Sequence, residues 1–268
     1  MIRNLIFLVF VANLVCAQTP KKLKEFSEKN IENASVDRLG NLFLIFKNGS
    51  IKKYDANGKV IASLKKGELP TLLEPWYHPR IFSYQKEKQQ FTFYDHDLKQ
   101  TESKKIDPSV AINPFLVCPT NDNKLLVLDQ ADWSIKKINY GENVLSEFAI
   151  DTTALSKPSF VYLREYQNLI FIFDTNSGIL IYSNLGKKIN HIKCKINNFG
   201  FYGEELFYLI DDKVVFFDLY SEKSREIKLE LGKFVIVTDE RIFLVQESGK
   251  VMVYEFLAEN SDEKPKQD

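Results

Sequence analysis

The sequence predicts an all-β chain, a six-bladed β-propeller in which an N-terminal strand closes the last blade. The first observation is a repeat: an apolar strand, a tight turn and a second strand recur as "NLFLIFKNGSIKKYD", "QQFTFYDHDLKQTES", "KLLVLDQADWSIKKIN", "NLIFIFDTNSGILIYS", "ELFYLIDDKVVFFD" and "RIFLVQESGKVMVYE". Marking the end of each apolar strand gives Phe46, Asp95, Asp129, Asp174, Asp211 and Gln246. The mean step is about 40 residues, the period of a blade of four antiparallel strands. The second observation is composition: Phe, Tyr, Val and Ile favour strands, and long helical periodicity is absent. The third is that the sixth unit runs out near Leu257 with about three strands, while a spare strand-like segment stands ahead of the first unit.

Residues 1–17 form a separate element. "MIRN" carries one positive charge, "LIFLVFVANLV" is a short apolar run, and "VCA" precedes Gln18. This is the layout of a secretory signal cut after Ala17. The run is shorter than the roughly 20 residues that span a bilayer, so no transmembrane segment is expected in the mature chain. A lipoprotein signal through Cys16 is the alternative, but Val15 and Asn13 stand where a small residue and a leucine are expected. Export to the bacterial periplasm or the outer membrane follows.

"KKLKEFSE", residues 21–28, is the spare segment, expected to pair as the outer strand of the last blade. Joining both chain ends in one sheet raises the barrier to opening a ring held by neighbour contacts. The propeller is thus expected over 18–257. The polar "AENSDEKPKQD", 258–268, reads as a disordered tail.

Within the units, the marker strands are apolar on both faces, as strands sandwiched between sheets must be. "GKVIASL", "KKINHIKCKI" and "KSREIKLEL" are polar or alternating and read as outer strands whose charges guard the edge. "KNGS", "DANGK", "TNSG", "NLGK" and "ESGK" place Gly or Asn where hairpins demand positive φ. Cys118 and Cys194 read as unpaired thiols, although an exported chain could oxidise them if geometry allowed.

The pattern "VDRLGNLFLIF…GSIKKYDANGK" resembles the repeat of six-bladed propellers of the NHL and TolB-like kind over residues 20–257. The chain is also similar to a group of exported bacterial propeller proteins. The resemblance implies architecture. Such rings host scaffolds, carbohydrate readers, lactonases and lyases, so it implies no single activity.

Reaction motifs are absent: there is no GxxxxGK[ST], HExxH, CxxC or GxSxG. Thirty-six basic residues balance thirty-six acidic ones, so no field points to nucleic acid. His78, His96 and His191 lie in different units without ligand spacing. Asp95, Asp129 and Asp174 recur at equivalent sites, which puts them in separate blades and favours turn capping over a shared ion. "DANG", residues 55–58, reads as a hairpin turn rather than a calcium loop. Trp133 reads as blade packing.

"LLEPWYHPRIF", residues 72–82, reads as the link between the first and second units. Trp76, Tyr77, His78 and Arg80 are the candidate binding residues, because aromatics and Arg are enriched at interfaces. The alternative packs Trp76 and Tyr77 between blades with Arg80 as their polar cover. The links 107–115 and 152–160 are blander. "REYQN", residues 164–168, is a second candidate or a polar hairpin turn.

Two functions remain open. One is a non-enzymatic scaffold without cofactor that binds an envelope protein, or a glycan through Trp76 and Tyr77. The other, implied by the resemblance, is a calcium-dependent hydrolase, lactonase or lyase. It would use Glu74, Asn113, Asn198 and Asp239, expected near inner-strand starts, around one ion in the central channel.

Overall fold

A computed structural model describes residues 20–77, 79–140, 143–153 and 158–256. The expected signal and the polar tail lie outside the described residues. Within them the chain forms six four-stranded antiparallel sheets.

Strand β1 (Lys22–Ser27) comes first and is set aside for the end of the ring. Blade one contains β2 (Ile31–Val36), β3 (Leu42–Phe46), β4 (Ile51–Tyr54) and β5 (Val60–Leu64). Blade two contains β6 (Leu72–Glu74), β7 (Ile81–Gln85), β8 (Gln90–Tyr94) and β9 (Gln100–Lys105). Blade three runs through β10 (Pro114–Pro119), β11 (Leu125–Asp129), β12 (Ser134–Ile138) and β13 (Val144–Ala149). Blade four follows as β14 (Phe160–Tyr166), β15 (Leu169–Asp174), β16 (Gly178–Ser183) and β17 (Lys188–Ile192). Blade five has β18 (Phe199–Tyr202), β19 (Glu205–Ile210), β20 (Lys213–Asp218) and β21 (Ser224–Lys228). Blade six has β22 (Phe234–Val237), β23 (Arg241–Val245) and β24 (Lys250–Glu255), and β1 completes it.

The closing strand behaves as its sequence predicts. β1 pairs antiparallel with β24, with Glu25 opposite Met252, Phe26 opposite Val251 and Ser27 opposite Lys250.

Burial follows the same logic. All five residues of β3 and of β11 are buried, whereas β9 and β13 are mostly exposed. Apolar side chains from neighbouring sheets interlock, as where Leu44 and Phe46 meet Phe243 and Val245 between blades one and six. Trp133 meets the Phe160 ring edge-on at 5.4 Å, a contact between blades three and four. Cys118 is buried in β10, Cys194 is half-buried just past β17, and both are free thiols.

Two expectations need correction. The second-unit marker, Asp95, follows β8, the third strand of its blade; the equivalent end is Gln85 of β7. The reason is local: a single 3-10 turn (Lys86–Lys88) closed by left-handed Gln89 replaces the usual Gly or Asn turn, so "IFSYQ" does not announce a hairpin. Likewise, Leu72–Glu74 is the inner strand β6 and not part of a link. Residues 75–77 and 79–80 belong to the first hairpin connection of blade two, between β6 and β7. Pro75 and Pro79 make that loop long and irregular, which is why it mimics a connection between blades.

An even number of strands returns the chain to the face it left. One face therefore carries the links between blades, and the other carries the first hairpins. Each inner strand runs from the link face to the hairpin face.

Candidate functional site

The inner strands enclose a cavity of about 290 Å³. Its link end is polar, with Glu32, Asn33, Thr175 and Asn197 in the wall, and its hairpin end is walled by Trp76, Arg164 and Phe201. Trp76 and Phe201 also border a smaller cavity of about 170 Å³ on the hairpin face, beside Arg38 and Asp239. Trp76 thus forms part of the partition between channel and hairpin-face vestibule.

Period-two alternation sends Tyr162, Arg164 and Tyr166 of β14 to one side and Leu163 and Glu165 to the other. Arg164 is 5% exposed and Glu74, at the end of β6, is fully buried. Glu74 Oε2 lies 3.5 Å from Arg164 Nη1 and accepts a hydrogen bond from the Tyr162 hydroxyl at 3.3 Å. Glu74 Oε1 accepts the Trp76 N–H at 3.0 Å. Arg164 Nη1 also donates to the Tyr162 hydroxyl at 3.4 Å. Burial works most strongly against the Arg164 charge, but Glu74 together with Tyr162 and Tyr77 outweighs it and holds the guanidinium protonated. Burial likewise pushes the Tyr162 hydroxyl upward, and it stays neutral. On the opposite side of β14, Glu165 Oε2 accepts the Asn121 N–H at 3.0 Å and Oε1 lies 4.0 Å from Lys137. The Cys118 thiol nearby is raised first by burial, which makes it a packing group rather than a nucleophile.

The candidate binding residues do not converge. Trp76 and Tyr77 are half-buried; Trp76 meets Tyr166 edge-on at 6.5 Å, and the Tyr77 hydroxyl donates to the Glu165 carbonyl at 3.0 Å. Arg38 lies over both rings, at 5.6 and 5.9 Å. Arg80 does not cover them. It sits 3.6 Å from the Phe93 ring centroid and pairs with Glu102 at 2.5 Å, on the flank between blades two and three. His78 lies outside the described residues.

The four alternative calcium ligands are also dispersed, which corrects the expectation that all stand near inner-strand starts. Asn113 and Asn198 precede β10 and β18 at the link end, whereas Glu74 ends β6 and Asp239 follows β22 at the hairpin end. Asn113 donates to Gln130 at 3.2 Å, and Asn198 donates to the Val235 carbonyl at 2.8 Å. Among the described residues no group of three or more His, Cys, Asp or Glu side chains is arranged to hold a metal ion.

The recurring aspartates cap turns. Asp95 accepts the N–H groups of Asp97 and Lys99, each at 2.9 Å. Asp174 accepts those of Ser159 at 3.1 Å and Asn176 at 3.0 Å. Asp55 takes the N–H groups of Asn57 and Lys59 in the "DANG" hairpin, each at 2.9 Å. In "REYQN" the turn is Gln167–Asn168, both left-handed, while Arg164 and Glu165 belong to the strand. The sequence reaches Arg164 only as the first residue of the second candidate, "REYQN", with a hairpin turn as the alternative; the sharper signal was an arginine inside the otherwise apolar and aromatic strand "FVYLREY".

No protein-family model matches the chain, and no curated protein matches it by sequence. Solved structures share its fold at low identity. Virginiamycin B lyase from Staphylococcus aureus, solved with quinupristin, is 12% identical with a TM-score of 0.52, over 85% of this chain and 80% of that one. BamB from Moraxella catarrhalis is 7% identical with a TM-score of 0.50, over 89% and 100%. BBS1N, solved in complex with ARL6DN, is 10% identical with a TM-score of 0.59, over 88% and 96%. The chain is similar to these proteins as a propeller, and the likeness is one of fold. Among the described residues no helix is long and apolar enough to cross a membrane.

Proposed function

We propose that the chain is an exported, non-enzymatic propeller that binds a protein partner in the bacterial periplasm or at the outer membrane. The observation that carries this reading is a set of exposed aliphatic side chains at the link end of four blades. Leu69 is 43% exposed, Ile112 71%, Val161 43% and Leu231 67%, and Val161 belongs to the channel wall. Scattered singly, such residues mean little; recurring on the link face of four blades they offer apolar surface for an interface. Lys66, Glu68 and Glu230 in the same links, with Lys193 in the link between blades four and five, supply the polar rim expected around it. The reading needs no cofactor. The leader-like sequence of residues 1–17 supports export, and the BBS1N complex is a precedent for a propeller that holds a protein.

Trp76 and Tyr77 are second in line. They sit on the opposite face and are already packed against Arg38 and Arg164, so a glycan would find little free ring surface.

Capture from detergent-solubilised envelopes tests the assignment. The double variant Ile112→Asp/Leu231→Asp is expected to lose its partner while keeping the native melting temperature, and Trp76→Ala is expected to retain it. Undiminished recovery with the link-face charges in place would overturn the link face as the binding surface.

A further inference from the structure

Arg164 leaves two of its three nitrogens without a partner. Nη1 serves Glu74 and Tyr162, but Nε and Nη2 are buried and have no hydrogen-bond partner. These two nitrogens form one edge of the guanidinium, the side-on fork whose parallel N–H bonds match the two oxygens of a carboxylate. The protein uses that same edge elsewhere: Arg225 Nε donates to Glu205 Oε1 at 2.8 Å and Nη2 to Oε2 at 2.6 Å. At Arg164 the fork is desolvated and empty, a costly state for a charged donor. Its guanidinium carbon lies 5.2 Å from the centroids of both Trp76 and Phe201, and those two rings and Arg164 all line the channel cavity.

We infer that the channel is a binding site for a small carboxylate with an aromatic or branched apolar body, its two oxygens received by Nε and Nη2 of Arg164. The cavity, about 290 Å³, lies at the small end of ligand pockets. The body rests on Phe201 and Ile236. Trp76 is half-buried, borders the hairpin-face cavity as well as the channel, and turns aside to uncover the fork, whereas Phe201 is 4% exposed and stays fixed. Charge balance holds. Glu74 and the ligand make two carboxylates; Arg164 faces them, and Arg38, against the Trp76 and Tyr77 rings in the hairpin-face cavity, is the second cation on that side. Glu165 is turned away to the Asn121 N–H and Lys137.

The test varies the ligand before the protein. Trp133→Phe leaves Trp76 as the one tryptophan in the sequence, so its fluorescence reports the site. Titration with 3-phenylpropionate is expected to give a saturable change in Trp76 emission, and 3-phenylpropionamide, equal in shape but neutral, to bind at least about tenfold more weakly. Arg164→Lys keeps a cation against Glu74 but has no fork, and is expected to erase the difference between acid and amide. Equal binding of acid and amide to the native chain overturns the proposal, as does no saturable response to the acid by ligand-observed NMR. Should Arg164→Lys fail to fold, the acid–amide comparison on the native protein decides alone.

Discussion

Glu28 accepts a hydrogen bond from the Tyr54 hydroxyl at 2.6 Å, and this contact ties the strand that closes the ring to the blade that opens it. The same carboxylate oxygen accepts Lys52 Nζ at 2.6 Å, and Phe26 of the closing strand stacks on the Tyr54 ring with centroids 5.0 Å apart. Tyr54 is 2% exposed, so Glu28→Ala strands a buried hydroxyl. A loss of about 1–3 kcal/mol in urea unfolding is expected.

Alkaline pH attacks the same contact. Burial first, and the Glu28 hydrogen bond second, push the Tyr54 hydroxyl far above its ordinary value. The unfolded tyrosine ionises near pH 10, roughly, so this stabilisation is whole below that pH and is lost as pH rises beyond it. Tyr77, Tyr84 and Tyr162 are shifted in the same direction. Unfolding at rising pH should begin near the ordinary tyrosine value, and Tyr54→Phe should make the decline shallower without abolishing it. A native chain whose melting temperature holds steady well above that pH would contradict this.

The closing seam has no room for a β-carbon at Gly249. The residue has φ +84° and its carbonyl accepts the Glu28 N–H at 2.9 Å. A Cβ there would run into the Glu28 carbonyl oxygen. Gly249→Ala combines that collision with a left-handed backbone and is expected to cost about 1–3 kcal/mol. Limited proteolysis should then cut within residues 20–28 before the rest of the ring. Wild-type resistance in the variant would show that the seam yields more easily than its geometry indicates.

Period and patterning made the ring legible. Runs such as "LFLIF" and "LLVLD" are too apolar for anything but the middle of a blade, and "KSREIKLEL" is too charged for anything but its edge. Even the closing strand could be read, because a ring short of one strand needs a donor. What failed was turn-dependent. Blade two lacks Gly and Asn at its first two hairpins, so Asp95 took the place of Gln85 and residues 75–80 passed for a link. The site was less legible for a different reason. Arg164 gains its meaning from Glu74, 90 positions away in sequence, and no local pattern records that pairing.

Asp129 shows what acid should do. It is fully buried, and its carboxylate accepts the N–H groups of Ile112 and Asn113 at 2.9 Å, that of Ala131 at 3.0 Å, and Lys136 Nζ at 2.7 Å. Burial alone would raise its pKa, but Lys136 and the three N–H groups outweigh it and hold the carboxyl below its usual value. Its contribution is therefore complete above the ordinary aspartate value, roughly pH 4, and is lost as pH falls through the lower native value. Asp129→Asn removes the closest carboxylate of Lys136, which is 7% exposed and keeps Asp132 at 3.2 Å, for a cost of about 1–3 kcal/mol at neutral pH. The variant should also flatten the acid limb of the stability curve; an unaltered limb would mean that other carboxylates govern it.

Calcium should leave the ring unmoved. Inner strands of four to seven residues, such as β18 and β14, cross the channel from the link face to the hairpin face. At a rise of roughly 3.3 Å per residue, the two ends lie on the order of 10–20 Å apart. Asn113 and Asn198 stand at one end, Glu74 and Asp239 at the other, while an ion draws its oxygens to about 2.3–2.6 Å. Glu74 is moreover held by Arg164, Tyr162 and the Trp76 N–H. The melting temperature is therefore expected to be the same in millimolar calcium and in excess chelator. A saturable upward shift with calcium would mean that these ends come together in solution, and it would restore the hydrolase or lyase reading over the scaffold.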